Sequence, residues 1–186
     1  YGTSRFLPSD TSDFALKIFR PTGDGDVAAM AGFREWSGQL KIANRSLGDI
    51  QISYQAIGSV SDADAFNFAY RFNPAGQRTQ HRFSLVHGAE WSHSLSPDLF
   101  YTVSVRQNYF HYTDWAFESE LDSRYEAAGV ARGDANYELG AILQGYDAGR
   151  FEQESNTFLV KSSVTAQLGK HNLVKFGIEG QTSRIR

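Results

Sequence analysis

The chain has no cysteine among its 186 residues, which rules out a disulfide framework and any thiolate metal site. An oxidising compartment stays open, because a large barrel needs no covalent staples. No run of about twenty apolar residues occurs, so no transmembrane helix is expected. A barrel strand buries only alternate residues in lipid, and a mean hydropathy of -0.42 is compatible with one. Basic residues are not in excess: 18 Lys and Arg against 21 Asp and Glu leave a formal net charge of -3. No Lys/Arg run forms a phosphate-tracking stripe, so nucleic acid is not an expected partner. Proline is scarce at 4, while glycine reaches 17 and aromatics 14%, a balance that suits a turn-rich β protein. The length allows one ordinary domain with a sizeable core.

Catalytic signatures are equally scarce. There is no Gly-x-Ser-x-Gly elbow, no Gly-rich phosphate loop and no His-Glu-x-x-His. Glu152 and Glu154 on a strand would share a face at about 7 Å, outside the roughly 5–5.5 Å of retaining glycosidases. No catalytic residue and no cofactor is assigned. The chain opens on Tyr1 without initiator Met or signal peptide and stops at Arg186 just after a strong strand pattern. Both ends read as internal boundaries of a longer protein.

What the chain does have is alternation. Phe158, Val160, Val164, Ala166 and Leu168 interleave with Lys161, Ser163, Thr165 and Gln167. After Gly169-Lys170-His171-Asn172, Val174, Phe176 and Ile178 interleave with Lys175, Gly177 and Glu179. Period two means extended strands with unlike faces. The pattern recurs over 36–42, 50–56, 83–92 and 99–112, giving about five clear strands. Connections alternate between short (45–48, 95–98, 169–172) and long (60–80, 114–155). A soluble sandwich has no reason to keep that order, whereas an outer-membrane barrel does. The expected fold is all-β: an antiparallel up-and-down transmembrane barrel fragment, an open curved sheet with long outer loops. The segments are 1–35 (outer loop, with a short extended piece at Phe14–Ile18), 36–112 (wall strands), 113–156 (long outer loop) and 157–182 (hairpin). Trp36, Trp91, Tyr101, Tyr109 and Phe110 lie toward strand ends, where interfacial aromatics belong. About five strands cannot close, since small membrane barrels use about eight.

Val103, Val105, Val160, Val164, Phe176 and Ile178 are the expected lipid-facing wall. Lys41, Gln51, Gln55, Glu90, Arg106, Lys161, Lys175 and Glu179 fall on the opposite parity. The loop from Asp114 to Glu154 is acidic and aromatic. Tyr112, Trp115, Phe117, Tyr125, Tyr137 and Tyr146 are its candidate ligand-stacking residues, since binding residues concentrate on loops over rigid scaffolds. A solvated loop is the blander account of its charges. His81, His87 and His93 share one parity but sit roughly 20 Å apart along a strand, too far to share an ion. His87 would face lipid unless a bulge at Gly88 turns it. Asp24 with Asp26, and Asp62 with Asp64, lack the further ligands of a calcium loop and read as turn residues. Arg132-Gly133-Asp134 is a three-residue adhesion match of the kind chance supplies.

Trp91-Ser92-His93-Ser94-Leu95-Ser96-Pro97, followed by Leu99-Phe100-Tyr101-Thr102-Val103, resembles the barrel wall of TonB-dependent receptors just after the plug domain. Phe72-Asn73-Pro74-Ala75-Gly76, Asp122-Ser123-Arg124-Tyr125 and His171-Asn172-Leu173-Val174-Lys175-Phe176-Gly177 resemble further segments of that family. The resemblance covers about three quarters of the chain and is weakest over 1–35. It implies a 22-stranded barrel in the bacterial outer membrane, with lipid around it and a plug domain of the same chain inside it. It also implies a TonB energy-transducing complex as partner, and import of a scarce small-molecule or oligomeric ligand: a siderophore, vitamin, oligosaccharide or peptide. The alternatives are a passive porin or adhesin, and a soluble all-β sugar-binding module.

Overall fold

The computed structural model describes residues 2–3, 26–126, 137–138, 140–143 and 145–186. The chain is all-β. Its strands are β1 (Gly2–Thr3), β2 (Val27–Ala28), β3 (Phe33–Leu47), β4 (Ile50–Asp64), β5 (Thr79–Ser96), β6 (Leu99–Trp115), β7 (Tyr137–Glu138), β8 (Ala141–Ile142), β9 (Phe151–Leu168) and β10 (Asn172–Ile185). Short 3-10 turns at Phe68–Tyr70, Pro74–Gly76 and Ser123–Glu126 punctuate the long connections.

Six long strands form one antiparallel sheet in the order β10-β9-β6-β5-β4-β3, while β1-β2 and β7-β8 make two small pairs. Each long strand pairs with the next long strand along the chain. The sheet is therefore an up-and-down meander, and it stays open with β3 and β10 as its edges. The expected count of about five strands becomes six, one for each alternating segment, and they make three hairpins. Two of the hairpin turns use glycine in the left-handed region, Gly48 at φ 68° and Gly169 at φ 70°, where a side chain would be strained. Pro97 sits in the third turn, outside the ladder.

The strands outrun their expected bounds. β6 continues to Trp115 and β9 begins at Phe151, so the long loop shrinks from 113–156 to 116–150, and the closing hairpin widens from 157–182 to 151–185. Ladder pairing carries a strand on after its apolar alternation fades: Thr113 and Asp114 are buried although both are polar. Within 1–35, β2 and the start of β3 are strand, while Phe14–Ile18 lies outside the described residues.

Two compact units divide the chain. The loop unit takes Tyr1–Glu35, Ser61–His81 and Tyr112–Glu152; the wall unit takes Trp36–Val60, Arg82–His111 and Gln153–Arg186. Met30, Tyr70 and Ile142 form the loop unit's core, at 1%, 4% and 8% exposure. The wall unit consists of ladder.

Candidate functional site

In the wall unit, β9 and β10 pair with Phe176 opposite Val164 and Gly180 opposite Val160. Directly opposed residues share a face, so Val160, Val164, Phe176 and Ile178 lie on one face. On interior strands Val105, Val160 and Val164 are 46%, 48% and 42% exposed; Val103 is half-buried. Phe176 and Ile178, on the edge strand, are exposed further. The opposite face is polar. Ser59 meets Ser84, Ser92 meets Thr102, and Lys161 stands 3.9 Å from Glu179. Lys41, Gln55, Glu90, Ser104 and Arg106 line a groove of about 440 Å³ there. Gly88 permits the close approach of β5 and β6: a Cβ would come within 2.6 Å of the Val105 carbonyl oxygen.

The apolar face carries a polar row. The Tyr54 hydroxyl lies 3.3 Å from His87 Nδ1, His87 Nε2 lies 3.0 Å from Gln107 Oε1, and Gln107 Nε2 donates to Asn156 Oδ1 at 3.0 Å. The Gln107 amide orientation makes Nε2 the donor of a neutral His87, leaving Nδ1 to accept from tyrosine. Of the two alternatives at Gly88, parity holds and no bulge turns His87. Phe83 contacts Tyr109, His87 bonds Gln107 and His93 bonds Tyr101, so one parity persists on both sides of the glycine. A histidine is kept on the apolar face because its neighbours on β4 and β6 satisfy both ring nitrogens.

In the loop unit, three of the six candidate aromatics converge. Phe117, Tyr125 and Tyr146 pack edge to face, with centroids 4.8, 4.9 and 5.5 Å apart. The guanidinium of Arg124 covers Phe117 at 4.1 Å and that of Arg150 covers Tyr125 at 4.8 Å. The Tyr125 hydroxyl accepts from the amides of Ala116 and Phe117. This cluster ties the loop back onto the end of β6. Tyr112 stands apart, against Phe151 at 5.9 Å. Trp115 ends β6, half-buried. Tyr137 pairs with Ile142, and its side chain lies outside the described residues. Arg124 also binds Asp122 at 2.7 Å and Glu118. Hydrogen bonds from its side chain and backbone hold the Asp122 carboxyl down at about 2, and the carboxylate raises the guanidinium in turn.

Sequence reasoning missed the centre of this unit. Arg78 Nη1 donates to Asp114 at 3.0 Å, and its Nε donates to Asp147 at 3.1 Å. Asp114 Oδ1 is buried without a hydrogen-bond partner. Burial first, then the Asp147 charge, pushes the nearby Tyr70 hydroxyl up to about 12. The three charges come from positions 36 and 69 residues apart, and no local pattern joins them. Asp62 is held below the usual carboxylate range by hydrogen bonds from His81 at 2.7 Å and Arg34 at 3.1 Å. The three strand histidines thus have separate partners, and no group of three metal-ligating side chains forms among the described residues. Asp24 and Arg132-Gly133-Asp134 lie outside those residues. Comparisons with protein-family models, curated proteins and solved structures return no match for this chain.

Proposed function

We propose that this chain is barrel wall and outer loop of a TonB-dependent transporter in the bacterial outer membrane. In this reading the wall unit faces lipid through Val103, Val105, Val160, Val164, Phe176 and Ile178. Its polar face looks onto a plug domain of the same protein, and the loop unit contributes to ligand capture. The imported ligand belongs to the siderophore, vitamin, oligosaccharide or peptide classes, and force from the inner-membrane complex releases it inward. No catalytic role is proposed.

One observation carries the reading. Apolar side chains on interior strands stand open to the surroundings, while the face beneath them is polar and grooved. A soluble sandwich covers its apolar face with a second sheet, and a membrane wall leaves that face to lipid. The long strands support the same conclusion. Their 14–18 residues span about 45–60 Å at roughly 3.3 Å per residue, enough to cross a tilted path through hydrocarbon and continue beyond it.

Nitroxide labels placed singly at Val103, Ser104, Val105, Arg106, Val160 and Lys161 of the full-length protein in liposomes test the wall. Oxygen collisions should dominate at the three valines, and collisions with a water-soluble nickel chelate at the other three. Chelate access at all six would remove the membrane assignment. Loss of uptake, with binding retained, in cells lacking the energy-transducing complex would separate energised import from a passive pore.

A further inference from the structure

We propose that the cleft beside Asp64 in the loop unit is a binding subsite for a neutral, polyhydroxylated ligand of the oligosaccharide class. The proposal rests on the reading above for the ligand's arrival from outside the cell, and narrows the ligand to one class. A cavity of about 480 Å³ is lined by Asp64, Phe66, Asn67, Phe68, Arg78 and Gln80. It falls within the roughly 300–1,000 Å³ of small-ligand sites. Asp64 also lines a second cavity of about 270 Å³, between Gly32–Arg34 and Asp62–Asp64.

The lining decides the class. Phe33, Phe66 and Phe68 are 67%, 60% and 65% exposed, in a unit that buries Met30 and Tyr70 almost completely. Such rings suit the C–H face of a pyranose. Arg71 already covers one face of Phe68 at 4.6 Å, which leaves Phe66 as the freer platform. The Gln80 amide has no hydrogen-bond partner among the described residues. Asp64 uses Oδ2 to accept the Gly32 amide at 3.0 Å, leaving Oδ1, and Asn67 uses Oδ1 to cap Ala69, leaving Nδ2. An amide, a carboxylate oxygen and an amide nitrogen together donate and accept, as hydroxyl groups require. The stronger charges are already matched: Arg78 by Asp114 and Asp147, Asp62 by Arg34 and His81. The cleft's cation, Arg78, is thus already matched, so the cleft offers little to an anionic ligand and keeps Asp64, Asn67 and Gln80 for hydroxyl groups.

Full-length protein in detergent, probed on an array of neutral, amino and uronic-acid oligosaccharides, tests this directly. The expected result is binding to neutral members, weakened about fivefold to tenfold in Phe66→Ala and again in Gln80→Ala, the scale of one lost contact. Leu121→Ala, at an exposed loop position outside the cleft, should bind as the parent does. A blank array, binding confined to charged glycans, or binding indifferent to Phe66→Ala and Gln80→Ala would each overturn the proposal. Lipid exposure of the wall valines with a blank array would sink this subsite alone. Neutral-glycan binding with water-exposed valines would keep the subsite and remove the membrane reading.

Discussion

The wall unit and the loop unit differ in what they bury: the loop unit has an apolar core, although it too leaves Phe33, Phe66, Phe68 and Leu121 exposed. All the buried apolar side chains found among the described residues, Met30, Tyr70, Ala141, Ile142 and Leu143, belong to the loop unit. The wall unit leaves Trp36, Leu40, Val105, Val160 and Phe176 substantially exposed and relies on its backbone ladder. Their charges differ in the same sense. Arg78 is 29% exposed and bridges Asp114, itself 11% exposed, whereas Lys161 and Glu179 of the wall are each more than half exposed and 3.9 Å apart. The loop unit has its own core and part-buried ion pairs, and the wall unit's apolar side chains stand open. Changes to apolar matching should therefore be felt most in the wall, and changes to charge matching most in the loops.

The largest expected effect is on the wall. Val164→Arg should cost about 2–4 kcal/mol of folding stability in lipid if the residue lies near the midplane. Ser163→Arg, its neighbour on the polar face, should be tolerated. Urea titration of folding into liposomes measures both, and equal losses would erase the distinction between the faces. Arg78→Met comes second. It strands Asp114 as a buried, uncompensated carboxylate, a loss of about 2 kcal/mol once the usual buried-pair penalty is reduced for partial exposure. Hydrogen exchange should quicken around residues 70–78 and 145–149 and leave β9 and β10 unchanged, and adding Asp114→Asn should recover part of the loss.

The contrast also explains what could be read from the sequence. Alternation reports a strand with two unlike faces, so the wall hairpins, their shared parity and the Val164–Phe176 face were legible residue by residue. His87 sits where parity puts it, but its tolerance depends on Tyr54 and Gln107, which lie on two other strands. The loop unit has no such period. Its core joins Met30, Tyr70 and Ile142, and its ion bridge joins positions 78, 114 and 147. These are long-range pairings that depend on the loops folding together. Phe117, Tyr125 and Tyr146 were found by composition, yet their edge-to-face packing under Arg124 and Arg150 gives them work in holding the loop.

A titration separates the units without mutation. Tyr70 ionises at about 12 in the folded chain against 10.0 for an ordinary phenol. Its pKa is raised on folding, so its contribution to stability is complete below about pH 10 and is lost as the pH climbs toward 12. Phenolate absorbance should show a late step from Tyr70, accompanied by faster exchange at the Tyr70 loop. Tyr70→Phe should abolish that step, and persistence of the step would reassign it.

The smallest effect provides the sharpest control. Lys161 and Glu179 face each other across β9 and β10, but both side chains keep their water. The attraction of such a pair is nearly balanced by the cost of holding two long side chains still, leaving about 0–0.5 kcal/mol. Lys161→Ala should therefore leave the urea midpoint almost unmoved, while Arg78→Met opens the loop unit. If both charge deletions cost the same, burial is not what distinguishes the two units. If Lys161→Ala were the more damaging, the polar face of the wall would have to be shielded from water as firmly as the loop core.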